Sequence, residues 1–180
     1  MSVLELGTFN HLGLVVRNIE ETAAFYTDVL GIGPFTVDTY YLKDVKYRGE
    51  PVEATVRGGF GYHGDLMVEL VEVVEGETPH TEFLAARGPG VQHLAFPVAD
   101  MKQALAALAE RGILPTLEYQ FIAHDAPISD PDPTKRRPMQ VWEAYLDTEE
   151  QAGGVTIQLM EIKEVSDDSD VHYVANPANA

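Results

Sequence analysis

Two histidines stand at matching places in this chain. His11 opens His11-Leu12-Gly13-Leu14-Val15-Val16-Arg17-Asn18-Ile19, and His93 opens His93-Leu94-Ala95-Phe96-Pro97-Val98-Ala99-Asp100-Met101. A second matched pair lies farther along: Glu69 in Met67-Val68-Glu69-Leu70-Val71-Glu72-Val73, and Gln158 in Thr156-Ile157-Gln158-Leu159-Met160-Glu161-Ile162. A carboxylate inside so apolar a run is costly unless it is paired or bound to a metal. Two imidazoles, one carboxylate and one amide oxygen suit one divalent transition-metal ion of borderline hardness, and Ni, Co, Zn, Mn and Fe all accept such ligands. Four protein ligands leave octahedral positions open, and such a Lewis acid polarises a carbonyl or binds an enediolate. The plainer readings pair Glu69 with Arg57 or another base and bond Gln158 to backbone. Neither explains why both residues occupy the same place in a repeat. Glu72 and Glu161, three positions on, face the other way and are expected to be solvated.

The repeat also dictates the elements that position these side chains. Asn18 and Asp100 are N-cap residues, each followed by an apolar stripe at helical spacing. Ile19, Ala23, Phe25, Tyr26 and Leu30 supply the first stripe, and Met101, Leu105, Leu108 and Ala109 the second; Gly31 and Gly112 follow as stops. Two further strands fit between each helix and the last strand. They are expected near Phe35–Leu42 and Val52–Gly58 in the first copy, and near Pro115–Phe121 and Val141–Asp147 in the second. The fold class is therefore α+β: two tandem βαβββ modules forming a curled mixed sheet around a central metal cleft. Module 1 spans 9–74 after an N-terminal segment, 1–8. A linker, 75–90, carries a short helix beginning at Thr81. Module 2 spans 91–164 and holds a loop insertion, 122–138, with the basic run Lys135-Arg136-Arg137. An acidic tail, 165–180, is expected to fray.

Composition narrows the partners. The chain has 180 residues, 45% hydrophobic, enough to bury a core. Lys and Arg number 12 against 29 Asp and Glu, a formal net charge of −17. Such a chain repels phosphate backbones and anionic lipid, so neither nucleic acid nor a membrane is an expected partner. Without cysteine there is no disulfide and no thiolate chemistry. The N-terminus reads without a signal peptide, and a cytoplasmic protein acting on a small molecule is expected.

At these motifs the chain resembles the vicinal oxygen chelate superfamily, which includes glyoxalase I, methylmalonyl-CoA epimerase, extradiol dioxygenases, and fosfomycin- and bleomycin-resistance proteins. The resemblance runs from about Asn10 to Ile162 and includes Phe25-Tyr26-Thr27-Asp28-Val29-Leu30-Gly31 and Gly90-Val91-Gln92-His93. The linker's Thr81-Glu82-Phe83-Leu84 is most similar to the epimerase and its glyoxalase-like relatives. The resemblance places the metal ligands at His11, Glu69, His93 and Gln158 and implies a homodimer. It also shows a departure, because the last-strand ligand of the second module is usually glutamate, a candidate proton-transfer group. Glutamine cannot take a proton near neutral pH. Glu69 is then one candidate base. The family's middle-strand glutamate suggests Glu50 or Glu53 as others, with an insertion around Gly59–Gly64 blurring the register.

The resemblance implies a metal-dependent isomerase, epimerase or lyase of glyoxalase type, in which a carboxylate moves a proton while an enediolate is stabilised. A non-haem iron(II) dioxygenase using His11, His93 and Glu69 is the alternative. A drug-binding protein without catalysis is the third reading, which the acidity favours and the histidines oppose. The insertion is expected to act as a lid bringing Phe121, His124 and Trp142 near the metal, or else to be a solvated loop. His63 is a further loop histidine, either lining the pocket or solvated.

Overall fold

The computed structural model describes residues 2–123, 133–135 and 137–165. In chain order the first module is β1 (His11–Val15), α1 (Ile19–Leu30), β2 (Thr36–Tyr47), β3 (Glu50–His63) and β4 (Leu66–Glu75). The linker helix α2 (Pro79–Arg87) follows. The second module is β5 (Gly90–Pro97), α3 (Met101–Ala109), β6 (Pro115–Ala123), β7 (Met139–Leu146) and β8 (Thr156–Glu164). The expected βαβββ unit is thus present twice.

The strands close into one barrel in the order β1-β4-β3-β2-β6-β7-β8-β5. Within each module the first and last strands run parallel, β1 beside β4 and β5 beside β8. The modules meet within one chain. At the main seam β1 and β5 are antiparallel, with His11 opposite Ala95 and Gly13 opposite His93. The second seam is narrow, joining Lys46 to Glu118 and Tyr47 to Leu117.

Last strands read as dense apolar runs because both their faces are covered. On β4, Val68 and Leu70 pack outward with Val16 and Ile19 around α1, while Val71 joins the barrel interior with Leu42, Val56, Leu117 and Tyr145. On β8, Leu159 packs with Met101 and Leu108 of α3, and Met160 packs with Ala95 and Val141. The helix starts follow the sequence. Asn18 accepts from the Glu21 amide and Asp100 from the Gln103 amide, and Gly31 closes α1 in a left-handed conformation.

Several expectations need correcting. The β2–β3 and β3–β4 hairpins are longer than foreseen, and β3 runs unbroken through Gly59–His63 to a turn at Gly64, so no insertion interrupts the register there. Arg57 pairs with Glu20 and Glu72 on the outer face, not with Glu69. Glu161 is buried, where its carboxylate accepts from the Met101 amide at the start of α3. Trp142 lies on the opposite face of β7 from Glu143, packs with the α3 cluster, and donates to Glu118. Ile122 and Ala123 extend β6, Pro133–Lys135 form a short 3-10 turn, and His124, Arg136 and residues 166–180 lie outside the described residues. Arg137 pairs with Glu164. Among the described residues no helix is long and apolar enough to cross a membrane.

Candidate metal centre

The seam between β1 and β5 builds the site. His11 and His93 project inward from it, and Glu69 comes from β4, opposite Gly13. Gln158 comes from β8, opposite Ala95. Each last-strand residue is therefore two places along the ladder from its own module's histidine. His11, Glu69 and His93 converge inside the barrel, and Gln158 holds on β8 the place that Glu69 holds on β4.

The distances are short. His11 Nε2 and His93 Nε2 lie 3.2 Å apart, and Glu69 Oε2 is 3.2 Å from the first and 2.9 Å from the second. The other nitrogen of each ring faces an amide oxygen: His11 Nδ1 lies 2.8 Å from Asn10 Oδ1, and His93 Nδ1 lies 2.7 Å from Gln92 Oε1. Gln92 is itself oriented, since its Nε2 donates to Thr156 Oγ1, and Thr156 donates to Glu149, which pairs with Arg87. This chain commits the proton of His93 to Nδ1 and leaves a lone pair on Nε2. Outer partners of this kind fix ring orientation and tautomer in metal sites.

The electrostatics agree. Burial holds the His93 imidazole below its ordinary value despite the pull of Glu69, so the ring is neutral. Burial pushes Glu69 up, but the two imidazoles set against its carboxylate outweigh it and hold the carboxyl well below the usual carboxylate range. Three ligand atoms from His11, Glu69 and His93 lie within 4.8 Å of one another. A single proton bridges only one pair of them. Gln158 is buried on β8, where its Nε2 donates to Glu143 and its Oε1 is buried with no partner. The converging lone pairs of His11, Glu69 and His93 fit a divalent cation, and an orphaned buried amide oxygen on Gln158 is of the donor type such a cation accepts.

A cavity of about 50 Å³ adjoins the cluster inside the barrel. Glu69, Glu143, His80, Tyr119, Tyr145 and Phe60 are among its lining. Phe121 lines it too, as the sequence suggested, but His63 is exposed. Glu50 and Glu53 are exposed on β3 and do not line the cavity. Alternation along β3 turns Ala54, Val56 and Gly58 inward and Glu53 outward, and Glu50 lies at the open end of the strand.

Glu143 is the carboxylate that sequence reasoning missed. It is buried on β7, and its Oε2 accepts from Tyr119 Oη at 2.6 Å and from Gln158 Nε2 at 3.0 Å. Burial and then the charge of Glu69 raise its carboxyl to about 7, against smaller lowering effects from Tyr119, His11 and Gln158. The ladder pairs Glu143 with Met160 and Gly58 with Val71, so the repeat aligns Glu143 with a glycine. A search for matched polar pairs passes over it. Its signal was a lone carboxylate between Val141 and Tyr145 on the inward face. His80 was missed as well, because the linker lies outside the repeat and α2 begins before Thr81.

The family model for the glyoxalase/bleomycin resistance protein/dioxygenase superfamily matches residues 10–129. The chain belongs to that superfamily. Among curated proteins it is similar to the uncharacterized protein YqjC of Bacillus subtilis (strain 168), 26% identical over 108 residues, 60% of this chain and 69% of YqjC. Solved structures share the fold, two of them as follows. A methylmalonyl-CoA epimerase of Mycobacterium tuberculosis is 19% identical with a TM-score of 0.57, covering 92% of this chain and 93% of its own. A mutant 4-hydroxymandelate synthase of Streptomyces coelicolor is 18% identical with a TM-score of 0.53, covering 95% of this chain and 54% of its own. This superfamily chain keeps a His-Glu-His cluster within its barrel.

Proposed function

We propose that the protein is a divalent-metal-dependent isomerase, epimerase or lyase that moves a proton on a small carbonyl or thioester substrate. The observation that carries this reading is a second buried carboxylate, Glu143, facing the same cavity as the His11–Glu69–His93 cluster. His11, Glu69, His93 and Gln158 would hold the cation, which supplies Lewis-acid polarisation of a substrate oxygen.

Glu143 takes the role of proton-transfer group in place of Glu50 and Glu53. Glu69 is engaged by both imidazoles and is the weaker base. Among the described residues both hydrogen bonds to Glu143 fall on Oε2, which leaves Oε1 to accept and return a proton. Tyr119 fixes the carboxylate's orientation, and the aromatic lining excludes water. The cavity is far smaller than a typical ligand pocket, so only the reacting end of a thioester would enter and the remainder would lie outside the barrel.

The test begins with metal content after purification without chelator. About one equivalent of Co, Ni, Mn or Zn is expected, and His93→Ala should lose it. Glu143→Gln should keep the metal yet slow solvent-deuterium exchange at the α-carbon of a panel of small 2-carbonyl compounds and acyl thioesters by about 10²–10⁴-fold. No metal after reconstitution would retire the catalytic reading and leave a drug-binding protein. A second reading rests on the His-Glu-His cluster itself, a two-histidine, one-carboxylate set suited to iron(II). Iron as the preferred metal, with oxygen uptake on catechols, would select that dioxygenase. A homodimer is part of the proposal by family resemblance and is checked by light scattering.

A further inference from the structure

Among the described residues the buried side-chain polar atoms without a partner are Gln158 Oε1 and both ring nitrogens of His80. The first belongs to the proposed metal set. The second is not. His80 is 3% exposed and lines the cavity with Glu69 and Glu143.

The sequence holds His80 there firmly. Thr78 caps α2 and accepts from the Thr81 amide, while Thr81 Oγ1 accepts from the Thr78 amide at 2.7 Å. Pro79 then starts the helix, and His80 is its second residue. This start is fully buried, and α2 packs against β4, β5 and β1, the strands that carry the cluster. The imidazole meets the ring of Tyr145 edge-on at 5.1 Å and that of His93 at 5.9 Å. Packing could be satisfied by an apolar ring of similar size. A buried polar group left without a partner is costly instead.

We propose that His80 is a substrate-binding residue that hydrogen-bonds an uncharged oxygen, hydroxyl or carbonyl, of the small molecule entering the cavity. A neutral imidazole offers one donor and one acceptor, which matches such an oxygen. The cavity lining contains carboxylates but neither lysine nor arginine, so an anionic group has no cation of the protein to meet there. The substrate class that follows is a compact oxygen-bearing molecule whose buried end is uncharged. This role rests on the reading of the cavity as a small-molecule site.

The test uses acetohydroxamic acid, a small uncharged probe with adjacent carbonyl and hydroxyl oxygens. Its binding is measured on zinc-loaded wild-type protein, His80→Phe and His80→Gln. Long-range nitrogen spectra of histidine-labelled wild type are recorded with zinc and without it. The expected result is that the probe shifts the His80 ring signals. His80→Phe should retain about one zinc but bind the probe about tenfold more weakly, and His80→Gln should recover most of the loss. Unchanged probe affinity in His80→Phe, or binding that leaves the His80 signals still, would overturn the proposal. So would zinc-loaded wild type that ignores the probe. A wild type that takes up no zinc retires the metal reading alone; His80 shifts caused by the probe would still support the ligand role, and their absence would overturn it.

Discussion

His93 occupies its position because residue 13 has no side chain. A Cβ built on Gly13 would lie 1.9 Å from His93 Cε1 and 2.1 Å from Nε2. The ring is buried, and its Nδ1 is bound to Gln92, so it has nowhere inexpensive to go. Gly13→Ala should therefore move a ligand while sparing the fold. We expect metal affinity to fall about 10–100-fold, the range seen when ligand-orienting contacts are disturbed, with an unchanged circular dichroism spectrum. Wild-type affinity, measured by competition with a chromophoric chelator, would contradict this. At this scale the histidines, Glu69 and Gln158 were legible because the repeat wrote each pair twice. Glu143 was not, because its counterpart is Gly58 and a repeat cannot flag what only one copy holds. Glu50 and Glu53 were chosen by proximity to a family position, and strand alternation put Glu53 outside.

Among the elements, α2 connects the modules and also forms part of the cavity wall. Its start is held by the reciprocal bonds of Thr78 and Thr81, and Thr78 is fully buried. Thr78→Ala leaves the Thr81 amide without its acceptor. The expected cost is about 1 kcal/mol, or a fall of about 2–4 °C in Tm. Faster amide exchange across 79–87 should accompany it, and unchanged exchange there would show that the cap does not anchor the helix. The α1 and α3 starts were readable from Asn18 and Asp100, each ahead of an apolar stripe. The start of α2 was not, because its box closes with threonine rather than glutamate, and Pro79 and His80 read as linker. Strand lengths were underestimated for a related reason. β3 carries polar residues and glycines through Gly61, and only pairing with β4 shows that the ladder continues.

For the molecule as a whole, the decisive feature is that β1 and β5 pair within one chain, so a single chain brings both histidines and Glu69 together. Mixing His11→Ala with His93→Ala protein should consequently restore no metal binding, whether or not the protein dimerises. Recovery of about half an equivalent after mixing and refolding would mean that modules exchange between chains. The sequence by itself determined the βαβββ unit, its duplication, both module helices and the four matched residues. These depend on local patterning, and a repeated pattern constrains its partner. Only the tertiary structure decided that the barrel closes within one chain, that Arg57 belongs to Glu20 and Glu72, and that Glu143 and His80 face the cavity. Those facts depend on strand register and on the docking of a linker helix. Register brings together residues far apart in the chain, and their neighbours along the sequence do not encode that meeting.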